Sequence, residues 1–415
     1  MNMKTLLSTL NREEVMLQIK NAGIYEYGMV REELSEKIEA IIRLHKADHE
    51  QVMAAGALNN NDFFHMYLNV LRDNTDKVLT GLGVVAWLID AEEMIVYLPE
   101  EETELSHIVL ESARKLEMDI KVENAIVNTR LMKNGIINHF QTLAAVADVL
   151  NGQYEPGVLV SVVKYATSKS CETVVEPHCI SYGTRLAEVI GNLDGVKAVQ
   201  VGDELYCTKE IADVQITEKT VLGDGVIKLY MEDCCMVDAA LLQLLESRKK
   251  SCGKCTFCRE GLIQLYTRMK EIVSKKGELA SLEIMKEIGS AMTSSCCCTI
   301  GSSGSAFVLD TLEKFFDEYI DHVKRKKCTA GSCLAFKNIY IDPQKCTGCG
   351  ICVDACETNC IEGIEGYIHM IEDVDCTKCE QCKKVCPEEA IISTTSSYVP
   401  RLPDRLTKVG RFKRY

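Results

Sequence analysis

Three features common in other classes of protein are missing from this sequence. Its 61 acidic residues outnumber its 47 basic residues and give a formal charge of −14. There is therefore no basic surplus with which to bind the phosphates of a nucleic acid. The longest apolar run, residues 79–89, is too short to span a bilayer, and residues 1–15 lack the apolar core and cleavage site of a signal peptide. We expect a cytoplasmic protein without a nucleic-acid partner or a membrane span.

Cysteine is missing from the first 170 residues, although the chain contains 22 cysteines and seventeen of them lie at or after Cys252. A secreted disulfide scaffold would be short and would spread its cysteines along the chain, so this class is excluded. The chain also lacks a Ser-His-Asp arrangement, a phosphate loop and an H-E-x-x-H motif, which leaves hydrolytic chemistry without support. Closely spaced thiols in a reducing compartment indicate metal or cluster ligation and suggest an anaerobic setting.

Two cysteine runs near the end of the chain repeat each other at an offset of thirty residues. Each has the spacing C-x2-C-x2-C-x3-C, which matches the bacterial two-cluster ferredoxins, where the fourth cysteine of each run ligates the other cluster. Zinc is the alternative occupant, but zinc sites usually take paired C-x-x-C units. The ferredoxin rule predicts one [4Fe–4S] cluster on Cys346, Cys349, Cys352 and Cys386 and a second on Cys376, Cys379, Cys382 and Cys356.

Two departures from the ferredoxin pattern fall in the first run. Glu357 stands where a proline usually follows the fourth cysteine, whereas Pro387 keeps that proline in the second run. Cys360 is an additional cysteine, which we interpret as a buried thiol. Neither departure removes a predicted cluster ligand.

A third group of cysteines lies in a predicted loop between helices. Cys252, Cys255 and Cys258 have the spacing of three corners of a [4Fe–4S] cluster, so a fourth ligand must come from elsewhere in the chain. The consecutive residues Cys296, Cys297 and Cys298 are the candidates.

A zinc site is also compatible with the sequence. His322, Cys328 and Cys333 are separated by five and four residues, spacings that a zinc ion can use, and Cys235 could be the fourth ligand. The alternative is that these are buried thiols and a surface histidine at a helix end.

Hydrophobic periodicity predicts a chain of several domains. Residues 68–89 and 104–116 have apolar positions at helical spacing, and residues 94–97 form an intervening strand pattern. Gly81 and Gly83 lie inside one helical run, where a glycine pair more often serves helix packing than phosphate binding. The expected division is a mixed α/β domain over 1–128, a linker and small sheet domain over 129–232, a four-helix unit over 233–327, a domain with both cysteine runs over 328–393 and a basic tail over 394–415.

With these motifs, the sequence resembles the NADH-binding flavoprotein subunit of respiratory complex I and the equivalent diaphorase subunit of electron-bifurcating hydrogenases. In that family the fourth ligand of the helical-domain cluster lies in a C-x-L-G motif, which residues 298–301 fit and Cys296 and Cys297 do not. The resemblance therefore assigns Cys298, with Cys297 as the second choice. Other matching segments are residues 137–144, 182–186, 223–227 and 235–238, and His322, Cys328 and Cys333 precede the ferredoxin-like part as in the hydrogenase-linked branch.

The resemblance implies an α+β multidomain fold. Its parts would be a degenerate α/β flavoprotein-like domain, a ubiquitin-like (β-grasp) domain, a four-helix cluster domain and a ferredoxin domain with two [4Fe–4S] clusters. The family binds FMN and NADH through a loop of pattern G-R-G-G-A-G-F-P-T-G and a later G-E-E element, because glycines let the backbone approach phosphate and flavin.

The matching loop of this chain has lost most of those glycines. Only Gly23 and Gly28 remain, and two tyrosines and three acids crowd the loop: Tyr25, Tyr27, Glu26, Glu32 and Glu33. Between Val122 and Asn138 there are too few residues to hold the glycine-rich segment with G-E-E. We therefore expect the dinucleotide site to be degenerate and FMN and NAD to be absent.

The expected function is that of an iron–sulfur electron-transfer subunit with three [4Fe–4S] clusters and one zinc. Its expected partners are the other redox subunits of a hydrogenase, formate dehydrogenase or bifurcating oxidoreductase, together with a thioredoxin-like [2Fe–2S] subunit. A working NADH dehydrogenase subunit with a divergent FMN site and a scaffold with largely structural clusters are the alternatives. The basic tail either lies along an acidic partner or is a mobile, solvated end.

Overall fold

A computed structural model describes residues 2–27, 31–48, 51–59, 64–125, 135–395 and 398–413. The chain folds into an N-terminal α/β unit, a mixed-sheet unit, a helical unit and a C-terminal unit with two strand pairs. In these ranges, no helix has both the length and the apolar character needed to cross a membrane.

The N-terminal unit is a parallel sheet covered by helices. Its helices are α1 (Met3–Ser8), α2 (Arg12–Ala22), α3 (Leu34–Asp48), α4 (Leu68–Asp73), α5 (Thr75–Leu88), α6 (Thr103–Lys115) and α7 (Phe140–Leu150). Its strands are β1 (Met53–Ala57), β2 (Glu93–Leu98), β3 (Lys121–Asn124) and β4 (Gly135–His139). The strand order is β3-β2-β1-β4, and each pairing is parallel.

Capping residues define both ends of α2 and so determine where the following loop begins. Asn11 caps the helix by accepting the backbone N–H groups of Glu13 and Glu14, and the two acids suit the positive end of the helix dipole. Gly23, at φ 61°, ends the helix in the left-handed conformation that glycine adopts without strain. The chain then enters the loop in which the family places its glycines. Gly28 lies outside the described residues.

The glycine pair in α5 lets two helices approach closely. A Cβ on Gly81 would lie 1.9 Å from the carbonyl oxygen of Leu143 in α7. A Cβ on Gly83 would lie 2.5 Å from Cε of Met3 and 2.9 Å from Cε of Met118. The predicted role of this pair in helix packing is therefore confirmed.

The N-terminal unit extends beyond the boundary expected at residue 128. β4 pairs with β1, and residues of α7 share the hydrophobic core of the N-terminal helices. The unit therefore ends after α7, near residue 150. Residues 126–134, which include much of the segment expected to be too short for a G-E-E element, lie outside the described residues.

The second unit is a mixed sheet with one short helix. Its elements are β5 (Gly157–Thr167), β6 (Ser170–Val174), β7 (His178–Ser181), β8 (Thr184–Arg185), α8 (Leu186–Ile190), β9 (Val196–Val201), β10 (Glu204–Cys207), β11 (Gln215–Ile216) and β12 (Val226–Met231). The main sheet has the order β10-β9-β12-β5-β6, and its first and last long strands, β5 and β12, are parallel neighbours.

The helical unit includes the segment that leads into the C-terminal unit. The helices are α9 (Met236–Lys250), α10 (Thr256–Val273), α11 (Leu279–Ser295), α12 (Thr299–Lys314) and α13 (Phe316–Ile320), followed by a π-helical turn, Asp321–Arg325. Cys328, Cys333 and Phe336 are buried in the helical core, so the C-terminal unit begins near residue 337 rather than at 328.

Two strand pairs and two short helices frame the C-terminal unit: β13 (Asn338–Ile341), α14 (Ile351–Asp354), β14 (Ile361–Glu362), β15 (Met370–Ile371), α15 (Gln381–Val385) and β16 (Ile391–Thr394). The basic tail folds back onto this unit. The N–H of Ile368 donates to the carbonyl of Thr407 at 2.9 Å, and Val409 and Phe412 pack against the core. Residues 407–412 of the tail are therefore packed against this unit, whereas Tyr398 and Leu406 are solvent-exposed.

Candidate functional site

The crevice at the carboxyl ends of β1 and β4 is filled by a carboxylate. An open α/β sheet binds ligands where its strand order reverses, with phosphate at the N-terminus of the following helix. At this position Glu26 is 5% exposed and accepts the N–H of His139 at 2.8 Å and the hydroxyl of Thr142 at 2.9 Å, at the start of α7. Lys37 donates to it at 2.9 Å, and Asn138 also donates to it. The chain supplies its own anion at this helix terminus.

Aromatic rings close the crevice beside this carboxylate. The ring centroids of Tyr27, Tyr67 and His139 are 4.8 Å apart in each pairing. The Tyr67 hydroxyl contacts that of Tyr27 and donates to the carbonyl of Leu159 at 2.7 Å. Gly225 adopts φ +73°, and a Cβ there would lie 2.1 Å from the Tyr67 hydroxyl oxygen. Gly225 therefore makes room for a side chain of this crevice.

The stability of the N-terminal unit depends on pH through the buried side chain of His139. Burial, helped by the positive charge of Arg31, lowers the pKa of His139 to about 3. The unfolded chain protonates this residue near pH 6.5, so it binds more protons than the native state between pH 6.5 and about 3. Stability therefore falls as the pH is lowered through this range.

We expect the stability of the His139→Asn variant to depend less on pH. Asparagine keeps a cap acceptor for the N–H of Gln141 but does not titrate. Between pH 7 and pH 5 the native chain should lose about 1–2 kcal/mol more stability than the variant. Denaturant unfolding followed by fluorescence of Trp87, the single tryptophan, reports on this unit. Equal losses in both chains would show that His139 is not the responsible group.

A second cavity nearby is acidic. A groove of about 1780 Å³ lies between α4, α7 and β5, and its lining includes Asp73, Asp148, Glu155 and Glu176. Lys77, also in the lining, is paired with Asp148 at 2.5 Å. This balance of charge disfavours an anionic dinucleotide.

The two C-terminal cysteine runs surround two cavities. The first, of about 330 Å³, includes Cys346, Cys349, Cys352 and Cys386 in its lining. The second, of about 310 Å³, includes Cys356, Cys376, Cys379 and Cys382, together with Cys360. The structure therefore groups these cysteines in the crossed manner expected from the sequence, with a fifth thiol in the second cavity.

The backbone of the two runs repeats at the same positions. Gly348 and Lys378 are both left-handed, at φ 74° and 60°, as are Gly350 and Glu380, at 83° and 61°. Such angles are costly for residues with a side chain and persist where the surroundings require them. Contacts with Lys337 and Ser393, at 3.1 and 2.8 Å, hold Glu380 in place. Both loops thus take one shape despite their different residues.

The third cysteine group joins two helix N-termini. Cys255 occupies the N-cap position of α10, Cys258 lies in the first turn of α10, and Cys298 occupies the N-cap position of α12. Because the positive ends of the two helices lie here, the site favours negatively charged thiolates. A hydrogen bond from Cys296 lowers the pKa of Cys258 to about 6.

Gly301 is required by the packing at this site. A Cβ on Gly301 would lie 2.4 Å from the sulfur of Cys296 and 3.1 Å from Cβ of Cys258. The backbone and thiol of Cys297 also donate to Cys255. The structure therefore brings members of the 296–298 segment to the Cys255–Cys258 loop, while the choice of Cys298 as ligand rests on the C-x-x-G pattern.

A separate group of four buried ligands lies where the C-terminal unit leaves the helical core. The ligand atoms of Cys235, His322, Cys328 and Cys333 are all within 4.8 Å of one another. Nε2 of His322 is 3.5 Å from the sulfur of Cys235 and 3.3 Å from that of Cys333, and these two sulfurs are 3.6 Å apart. Ligands of a tetrahedral zinc ion are about 3.3–3.8 Å apart, so the donor set fits zinc.

The surroundings orient His322 for this role. His322 is 1% exposed, so its interpretation as a surface histidine is wrong. The π-helical turn carries it, and its Nδ1 is 2.7 Å from the carbonyl oxygen of Glu318, which assigns the proton to Nδ1 and leaves Nε2 facing the thiols. Hydrogen bonds with Cys328 and Cys333, together with burial, raise the pKa of Cys235, so metal binding must displace its proton.

We expect the Cys235→Ser variant to lose the zinc, from about one ion per chain to almost none, because a structural zinc site needs all four ligands. Cys234→Ser is the matched control, since the neighbouring Cys234 is equally buried but outside the ligand group. Zinc content and thermal unfolding of the two variants test this. Equal zinc in both would reject the site.

Two residues of these sites were not assigned their observed roles from the sequence. The sequence places Glu26 only among the acids that crowd the loop, whereas the structure makes it a buried hydrogen-bond acceptor. Cys360 was interpreted as a buried thiol, and it also lines the second cluster cavity. A signal for Cys360 exists in the thirty-residue repeat, in which its counterpart is Ala390.

Comparison with known families matches two parts of the chain. Residues 240–322 match the NADH-ubiquinone oxidoreductase-F iron–sulfur binding region, and residues 339–362 match the 4Fe–4S binding domain. NADP-reducing hydrogenase subunit HndC of Solidesulfovibrio fructosivorans is 34% identical over 206 residues, which cover 46% of this chain and 42% of the relative. An NADH-quinone oxidoreductase subunit of Streptomyces coelicolor is 28% identical over 109 residues, 26% of this chain and 24% of the relative.

A similar fold occurs in NAD+-reducing [NiFe]-hydrogenase. The match to its H2-reduced crystal structure has a TM-score of 0.61 at 15% identity and covers 76% of this chain and 63% of that chain. The chain aligns with less than half the length of the two curated relatives.

The two family matches and the grouped cysteines together define an iron–sulfur protein with 4Fe–4S binding regions. More closely, residues 240–322 have the iron–sulfur binding region of NADH-ubiquinone oxidoreductase-F, and the chain is similar to the NADH-binding flavoprotein, or diaphorase, subunits of complex I and of hydrogenases.

Proposed function

We propose that this chain is an electron-transfer subunit that relays electrons through three [4Fe–4S] clusters and has no NADH or FMN chemistry of its own. Its four units would be a degenerate flavoprotein-like domain, a ubiquitin-like domain, a helical cluster domain and a two-cluster ferredoxin domain. The observation that carries the loss of flavin chemistry is the Glu26 carboxylate at the N-terminus of α7, in the ligand crevice of the sheet.

FMN does not fit this crevice. A phosphate there would meet the buried carboxylate of Glu26 instead of free N–H groups, and the Lys37 ammonium is already paired with that carboxylate at 2.9 Å. Tyr27 and Tyr67 fill the adjoining space with their rings. A buried charge with this many hydrogen bonds is costly to displace.

The clusters would be held by the three cysteine groups. A [4Fe–4S] cluster bound there supplies one-electron chemistry. We assign Cys252, Cys255, Cys258 and Cys298 to the helical-domain cluster. The two C-terminal clusters would take the crossed sets already grouped around their cavities. The chain's contribution is to hold thiolates at helix N-termini and in left-handed loops.

Partner subunits would exchange electrons at two exposed places. Phe257, beside the helical-domain cysteines, is 50% exposed, and Ile351, beside Cys352, is 45% exposed. Apolar side chains on the surface next to clusters suit docking of another redox subunit. We propose subunits of a hydrogenase, formate dehydrogenase or bifurcating oxidoreductase, and a thioredoxin-like [2Fe–2S] subunit, in a cytoplasmic complex.

A combined assay of iron, zinc and flavin tests the proposal. The anaerobically purified chain should contain about twelve irons and about one zinc, and no flavin. Incubation with excess FMN followed by desalting controls for flavin lost in purification. Retained flavin together with NADH-driven dye reduction would overturn the proposal in favour of a working NADH dehydrogenase subunit.

A further inference from the structure

Five thiols line the second cluster cavity, where a cluster needs four. Cys360 is 5% exposed, and its sulfur lies 3.4 Å from that of Cys356. Both line the same cavity as Cys376, Cys379 and Cys382. Because the Cys360 sulfur is in contact with a predicted ligand and inside the cavity, it can reach the same iron with a small movement.

The internal repeat shows what is unusual about this position. At the first cavity, the residue equivalent to Cys360 is Ala390, whose N–H donates to the sulfur of Cys386 at 3.3 Å. Asn359 and its counterpart Glu389 are both left-handed, at φ 53° and 46°, so the two segments share a backbone path. The alanine methyl of the first cavity is therefore replaced by a thiol in the second.

A second difference between the repeats lies in the same short segment. Pro387 follows Cys386 and fixes its own φ angle, whereas Glu357 follows Cys356 without a ring. The segment from Cys356 to Cys360 therefore has more freedom to turn. Cys356 is half-buried while Cys360 is buried, so the outer thiol is the one that reagents reach first.

We propose that Cys360 is an alternative ligand of the second [4Fe–4S] cluster, able to replace Cys356; this inference rests on the proposed function. In the exchange one iron–sulfur bond forms to Cys360 and one breaks to Cys356. The Cys360 thiol gives up its proton, and the released Cys356 thiolate takes one up. No electron is gained or lost. The first cluster has no such reserve, because Ala390 occupies the equivalent position.

Paired variants in the two repeats test the proposal. In the anaerobic full chain, Cys356→Ala should keep about twelve irons, whereas Cys386→Ala should fall to about eleven or fewer, as should Cys356→Ala with Cys360→Ala. In oxidised samples, the variants that lose iron should show the EPR signal of a three-iron cluster. Equal iron loss in Cys356→Ala and Cys386→Ala overturns the proposal. Native chain with far fewer than about twelve irons would instead contradict the proposed function.

Alkylation gives a readout that does not depend on folding of the Cys356→Ala variant. Iodoacetamide is added to the folded native chain and to the Cys360→Ala chain, and peptide mass spectrometry identifies molecules modified at Cys356. Iron retained after this modification in the native chain, but released in Cys360→Ala, supports the exchange. Release of the same amount of iron from both chains rejects it.

Discussion

Replacing Cys298 by serine is expected to lower the iron content of the chain from about twelve to about eight. The loss follows from the removal of one thiolate at the N-terminus of α12, which leaves Cys252 and Cys255 on the α9–α10 loop and Cys258 in the first turn of α10 to hold the cluster. Iron and acid-labile sulfide in the anaerobically purified chain measure the effect, and EPR of the reduced protein shows which signal disappears.

Two neighbouring cysteines provide matched controls for this variant. Cys296→Ser and Cys297→Ser change the same segment, and both should retain about twelve irons if Cys298 is the ligand. Cluster loss in Cys297→Ser with retention in Cys298→Ser would move the assignment to the second choice.

The Cys298→Ser variant also distinguishes an electron-transfer subunit (a conduit) from a subunit whose clusters are structural (a scaffold). In an assembled oxidoreductase complex, a conduit lacking this cluster transfers electrons more slowly per complex, while the yield of complex is preserved. A scaffold shows the reverse, with a lower yield and an unchanged rate per assembled complex. Rate and yield measured on one preparation therefore decide between the proposed function and the structural alternative.

Removing the Glu26 carboxylate should strongly destabilise the N-terminal unit. In Glu26→Ala, Lys37 loses its buried partner, and Asn138, Thr142 and the N–H of His139 lose their acceptor. Breaking a buried ion pair at one partner costs about 3–5 kcal/mol. Denaturant unfolding followed by Trp87 fluorescence measures the loss in the unit that contains the crevice.

Glu32 offers a control within the same loop. Its side chain is 44% exposed and its nearest oxygen is 3.9 Å from Nζ of Lys37. Glu32→Ala should therefore cost less than about 1 kcal/mol, as exposed ion pairs do. Similar costs for the two variants would show that the carboxylate of Glu26 does not hold the crevice together.

The role of Glu26 was hidden in the sequence because its partners are distant. Lys37 is 11 positions away, but the N–H of His139 is 113 positions away, and only the pairing of β4 with β1 brings it near. A glutamate in a loop is usually solvated, so local reasoning predicts repulsion of a ligand. The sequence shows that the glycines of the ligand loop are lost. It does not show that the Glu26 carboxylate occupies the crevice.

Strand β1 is another feature that the local sequence does not predict. Its residues, Met53–Ala57, include no β-branched or aromatic side chain. Its small residues fit because β1 lies between β2 and β4, where a Cβ on Gly56 would lie 3.0 Å from Leu143. Tertiary packing, not propensity, makes this strand.

The cysteine sites were more predictable, because a cluster demands a fixed local spacing. The ferredoxin spacing indicated eight of the nine cysteines that line the two C-terminal cavities. It did not reveal that Lys378 and Glu380 adopt left-handed angles, because no glycine marks them. The extra thiol at Cys360 needed three-dimensional contact with Cys356 to acquire a role.

The segment that carries Cys328, Cys333 and Phe336 is embedded in the helical core. A ferredoxin unit anchored in this way cannot leave as a free carrier, so its local concentration at the helical unit is set by the chain. Turnover of a complex built on this subunit should then be indifferent to dilution and to competition from diffusible ferredoxins at this step. Because the helical unit and the C-terminal unit belong to one chain, electron transfer between them would need no diffusional encounter.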